Sequence, residues 1–122
     1  MNWSAAGAIL LALAVMIGAF GAHGLRGRIS DEMLAIYERA VFYHAVHALG
    51  ILIVSLLARA GALSEKRANW VAGLLLAGIV LFCGSLYVLA ITGVLALGAV
   101  TPFGGLSFIA AWLLLAWWMT KR

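Results

Sequence analysis

Few residues in this chain are equipped for chemistry, and the densest group is Tyr43-His44-Ala-Val-His47. Two imidazoles three positions apart stand on one face of a helix. There they could share a metal ion, relay a proton, or hydrogen-bond to neighbouring helices. A catalytic zinc takes three protein ligands, and the sequence offers no third beside this pair. The only carboxylate nearby is Glu38, six positions before His44, so the Glu-x-x-His pairing of di-iron bundles is missing. His23 stands apart at a helix end, where axial haem ligation has no second feature to support it. Cys83 is alone, which excludes an intramolecular disulfide, and inside an apolar stretch it reads as a small hydrophobe. No metal and no cofactor are expected. A Ser-His-Asp or Cys-His arrangement is also missing, because the apolar stretches contain no acid.

Steps beyond the histidines depend on what carries them. On a helical wheel Tyr37, Ala40, His44, His47, Ala48, Ile51 and Ser55 fall within a band of about 100°. Ser85 and Tyr87 on a later apolar stretch, and Thr101 at the head of the last, are the available polar partners. Ionisable groups at membrane depth are costly and face the bundle interior, which makes His44, His47, Tyr87, Ser85 and Tyr43 the polar intramembrane site, with His23 and Thr101 secondary.

That these stretches lie in a membrane follows from the charges. All twelve Asp, Glu, Lys and Arg residues fall in 26–39, 59–67 and 121–122, leaving charge-free intervals 1–25, 40–58 and 68–120. A helix rising ~1.5 Å per residue needs about 20 apolar residues to cross a ~30 Å hydrocarbon layer. The first two intervals hold one crossing each and the third holds two. Composition agrees: 66% of residues are hydrophobic and 10% charged, against roughly 45–50% and 25% in soluble domains. The expected fold is all-α, a four-transmembrane-helix bundle with antiparallel neighbours and an interfacial extension before helix 2. It forms one integral membrane domain over 1–122, with helices at about 3–22, 31–58, 70–92 and 102–119. No basic residue precedes Arg26, so 3–22 reads as a retained helix and not as a secretory signal.

Local signals refine the map. Ser30 is a good N-cap, with Asp31 and Glu32 at the positive end of the helix it opens. Thr101-Pro102 reads as a helix start, with Thr as cap and Pro in the first turn. Helices in lipid approach closely through small side chains, which nominates Gly18, Ala22, Gly73, Ala77, Gly84, Gly104 and Gly105 as packing positions. The side holding both termini and the 59–67 turn carries five Lys and Arg, the other side three, so the termini are expected in the cytoplasm. The formal charge of +4 sits at helix ends and suits anionic headgroups. Nucleic acid is not an expected partner. The lipid bilayer is, together with a second copy or another membrane protein.

Four segments carry a resemblance: Gly18-Ala-Phe-Gly-Ala-His23-Gly, Tyr43-His44-Ala-Val-His47-Ala-Leu49, Leu81-Phe-Cys-Gly-Ser-Leu-Tyr87, and Thr101-Pro-Phe-Gly-Gly105 followed by Trp112. Together, in this order, they resemble the YgdD-like family of small four-helix membrane proteins of unknown function, bacterial with eukaryotic relatives. The chain departs from that pattern at Cys83 and Ala111, where the family usually has Ser and Gly, both small-for-small changes. The resemblance implies a multi-pass protein of the bacterial plasma (inner) membrane. It supplies no reaction, and draws attention to His23, His44, His47, Ser85, Tyr87, Thr101 and Pro102. Two functions stay open. One is a non-enzymatic structural or interaction protein. The other is a binding or transport module for an ion or small polar ligand at His44 and His47.

Overall fold

The first N–H groups of a helix have no internal partner, and short polar side chains take them here. In the computed structural model, which describes residues 2–121, Asn2 accepts from the Ala5 N–H at 3.1 Å and opens helix α1 (Trp3–Leu25). Ser30 accepts from Met33 N–H at 3.1 Å and opens α2 (Asp31–Arg59), with Asp31 and Glu32 in its first turn. Ser64 does the same with Arg67 N–H at 3.3 Å for α3 (Glu65–Thr92). A 3₁₀ turn, Leu95–Ala99, then precedes α4 (Thr101–Thr120).

These starts differ from the sequence expectation in two places. α3 begins at Glu65 and not near Trp70. The charged residues 65–67 lie outside the apolar stretch, where helix formation costs no desolvation, and the Ser64 cap with Glu65 behind it favours the earlier start. Substituting Ser64→Ala should lower thermal stability in detergent by about 1 kcal/mol, read by circular dichroism. The second difference is Thr101, which does not cap. Val100 holds the cap position with no side-chain bond, and the Thr101 hydroxyl is used elsewhere. α1 also runs three residues past Ala22, through a π-helical turn, Gly21–Leu25. α3 ends on Gly93, whose φ of +73° lets its N–H bond to the Leu89 carbonyl at 2.7 Å.

Four helices are long and apolar enough to cross a membrane. Their lengths run from the 20 residues of α4 to the 29 of α2, rises of about 30 to 44 Å. α2 thus exceeds a ~30 Å hydrocarbon layer by several turns, and its first turns carry the exposed Asp31, Glu32, Glu38 and Arg39. The outer surface is apolar: Val15, Phe20, Leu56, Val80 and Leu113 are all exposed. Water would not tolerate such a surface on a stable monomer, whereas lipid does.

α2 and α3 form the centre, with α1 against α2 and α4 against α3. Ile51 and Val54 of α2 pack with Val71, Leu75 and Cys83 of α3, all fully enclosed. α3 and α4 approach closely at Gly104 of α4, where an added Cβ would press on the backbone nitrogen and Cα of Phe82. Phe82 belongs to a second π-helical turn, Ile79–Cys83, within α3. Such turns release backbone bonding capacity, and the Ser85 hydroxyl donates to the Phe82 carbonyl at 3.0 Å.

Candidate functional site

The helical band read from α2 is wholly interior: Tyr37, Ala40, His44, His47, Ala48, Ile51 and Ser55 are all buried. The two histidines share that face but bond in different directions. His44 Nδ1 and the Tyr87 hydroxyl of α3 form a 2.8 Å hydrogen bond. His47 Nδ1–H donates to the Tyr43 carbonyl one turn back on its own helix at 2.7 Å. A carbonyl can only accept, so the His47 proton sits on Nδ1 when the ring is neutral.

Around His44 the arrangement is a chain of hydroxyls and rings. Tyr87 packs on Tyr37, centroids 5.3 Å apart, and the Tyr37 hydroxyl donates to the Ile17 carbonyl of α1 at 2.6 Å. Three helices are thereby joined by polar contacts in one layer. His44 Nε2 is the exception. Among the described residues it is the only buried side-chain polar atom with no hydrogen-bond partner. The Leu10 backbone of α1 approaches the ring, yet Nε2 completes no bond with it.

His47 sits in an aromatic box. Its ring stacks on Phe108 of α4 at 3.6 Å and lies 5.9 Å from Trp112. Tyr43 lies beside it at 5.9 Å, 6.4 Å from Phe108, and meets Phe82 at 4.7 Å. The stack on Phe108 makes this imidazole a packing element joining α2 to α4.

Ser85 and Thr101 form a third group. Their hydroxyls lie 2.6 Å apart, and Ser85 also serves the π-turn carbonyl of Phe82. They tie α3 to the start of α4 and do not touch either histidine. His23 is exposed in the π turn ending α1, away from the other two. The residues named from sequence therefore divide into separate interhelical contacts. Among the described residues no group of three or more His, Cys, Asp or Glu side chains could hold a metal ion.

The packing positions sort differently from the sequence reading. Gly104 is a close approach, Gly18 has Val41 at 3.3 Å from an added Cβ, and Gly105 has Phe82 at 3.8 Å. Gly73 and Gly84 face open space with nothing within 4 Å, and Ala22 is exposed. Spacing alone cannot tell which stripe of a helix meets its neighbour, and these fall outside the contacts. Gly7, Gly50 and Gly78 were missed. They receive Leu52, Trp112 and Phe108 respectively, and the signal was a glycine opposite a large side chain on another helix. Also missed were the Ser4–Ser55 hydroxyl pair, the Trp3 indole N–H donating to Asn69 at 2.8 Å, and the Ser107 hydroxyl donating to the Leu74 carbonyl at 2.6 Å. Each involves a polar residue inside or at the edge of an apolar stretch.

Membrane-length helices, an apolar exterior and an interior whose polar groups bond helix to helix define an integral membrane four-helix bundle. Comparison with known proteins agrees. The chain belongs to a protein family of unknown function, DUF423, whose model matches residues 17–105. It is 50% identical over 111 residues to the UPF0382 membrane protein YwdK of Bacillus subtilis, covering 89% of this chain and 88% of that protein. To a UPF0382 membrane protein of Staphylococcus haemolyticus it is 46% identical over 109 residues, covering 89% and 87%. A Staphylococcus aureus relative is 43% identical over the same length. No solved structure matches the chain. The protein is thus a small multi-pass membrane protein, and its family carries no enzymatic label.

Proposed function

We propose that this is a non-enzymatic protein of the bacterial plasma membrane that acts by association, with a second copy or with another membrane protein. It forms one integral domain with both termini cytoplasmic, on the five-to-three excess of Lys and Arg at that end. The four motifs also join the YgdD-like proteins to this family. What carries the reading is the use made of the polar side chains. Tyr37, Tyr43, His44, His47, Ser85, Tyr87 and Thr101 are spent on contacts between or within helices. Neither histidine lines the cavities formed by Asn2 and Arg59, by Lys66 and Trp70, by Tyr37 and Phe42, or by Leu11 and Val15. The surface offered for association is the lipid-facing side of the flanking helices α1 and α4.

The test is the double variant His44→Gln/His47→Asn. Melting in detergent should fall by several degrees, while any cellular phenotype should change only as far as protein abundance does. Unchanged melting with a lost phenotype would sink the reading. Crosslinking in native membrane, with identification of what is captured, then distinguishes self-association from a second protein.

One observation favours the alternative of a binding module for an ion or small polar ligand: the unpartnered His44 Nε2. Stoichiometric metal in elemental analysis of the purified protein, lost in His44→Gln, would establish that alternative.

A further inference from the structure

A cavity lined largely by polar residues lies at the end of the bundle that carries the chain start. It measures about 290 Å³ and is lined by Asn2, Trp3, Ser55, Arg59, Glu65 and Asn69, with two alanines. Three helices meet there: the start of α1, the end of α2 and the start of α3. Arg59 and Glu65 are the first charges after a charge-free run, and Trp3 is an interfacial residue type. The cavity therefore opens where hydrocarbon gives way to headgroups.

Its hydrogen-bonding groups are sorted by sign. The Asn69 side-chain oxygen accepts from the Trp3 indole N–H at 2.8 Å, which fixes the amide and leaves its NH₂ without a partner among the described residues. The Asn2 side-chain oxygen accepts from Ala5 N–H at 3.1 Å and leaves its NH₂ in the same condition. In both cases the partner is an N–H, which admits only an oxygen opposite it, so neither amide can be turned round. Two asparagines with free amide donors and one arginine thus line one cavity, a donor set for a phosphate group. Glu65 adds one carboxylate, which accepts from an ammonium. Ser55, also in the lining, pairs its hydroxyl with that of Ser4.

We propose that this cavity binds a phosphoethanolamine group, phosphate on Arg59, Asn2 and Asn69, and ammonium on Glu65. The volume is close to the lower end for small-ligand pockets and suits a headgroup. The inference is independent of the association proposed above, since it concerns a cavity among α1, α2 and α3 and not the outer faces of α1 and α4. The group has two sources, a phospholipid of the surrounding leaflet or a free phosphoethanolamine.

The experiment uses the full chain purified in mild detergent, with native mass spectrometry after adding phosphatidylethanolamine, phosphatidylglycerol or phosphatidylcholine of matched acyl chains. The ethanolamine lipid should be retained at least about fivefold over the others. The glycerol headgroup offers no cation to Glu65, and the choline headgroup offers no N–H. Arg59→Gln should reduce retention about tenfold, the size of a lost charge-assisted hydrogen bond. Asn69→Asp keeps the acceptor for Trp3 while replacing the donor with a negative charge, and should reduce it at least as much. Glu65→Gln should erase the preference for ethanolamine over glycerol. All three positions are exposed, so the fold survives these changes. Arg26→Gln, in the first loop at the opposite end, should alter nothing. Competition by soluble O-phosphoethanolamine assigns the free source, and retention in its presence assigns the lipid. Equal retention of the three lipids by the unaltered protein, or unchanged retention in Arg59→Gln and Asn69→Asp, overturns the proposal.

Discussion

Gly104→Ala is expected to destabilise the protein by about 3 kcal/mol, the upper part of the range for overpacking a filled interior. The reason is what the new methyl would meet. It would press on the backbone nitrogen, Cα and Cβ of Phe82, none of which can turn aside as a side-chain tip does. α3 and α4 would have to separate, and the Phe82–Phe108 contact at 5.6 Å with the Ser85–Thr101 hydroxyl pair at 2.6 Å would loosen with them. Gly84→Ala is the control. Nothing lies within 4 Å of its added Cβ, so the change should be neutral or stabilising by up to about 0.5 kcal/mol through backbone entropy. Denaturation with a strong detergent, followed by far-ultraviolet circular dichroism, compares the two. If both variants unfold alike, the close approach of α3 and α4 has been misplaced.

The second large effect is expected at Tyr87. Tyr87→Phe removes the only hydrogen bond that His44 makes and leaves a buried imidazole with both nitrogens unsatisfied. Interhelical hydrogen bonds in lipid average ~0.6 kcal/mol and reach ~1.7. Abandoning a buried polar group costs about 1–3 kcal/mol, so about 1.5 kcal/mol is expected for the single variant. Adding His44→Phe should recover most of that loss, because two apolar rings then meet where an unpaired imidazole stood. The signature is therefore non-additivity in a double-mutant cycle. Strict additivity would mean that the 2.8 Å contact contributes nothing. The Tyr37 hydroxyl bonds to Ile17 instead, so Tyr37→Phe should be additive with His44→Phe.

Much of this molecule was legible before any coordinates. The interior band of α2 followed from a 100° periodicity, and all seven of its residues are buried. Ser30 caps α2 as its side chain and the acids behind it imply. The reading failed where a residue had more than one use for its side chain. Thr101 has the chemistry of a cap but spends its hydroxyl on Ser85. Ser64 looked like part of a charged turn and is the cap of α3. The histidine site was only half legible. That His44 and His47 face inward follows from the helix alone. That one bonds to Tyr87 and the other stacks on Phe108 depends on which helix packs against which face.

Sequence by itself determined the solvent, the number of long helices and the buried stripe of α2, because charge spacing and helical period are properties of a single chain in lipid. Tertiary structure alone decided which glycines are touched, that the polar residues divide into separate contacts, and that two asparagines with free amide donors share one cavity with Arg59 and Glu65. Those outcomes depend on the rotation and register of one helix against another. In lipid no hydrophobic force fixes that choice, so it is left to side-chain shape and to individual hydrogen bonds.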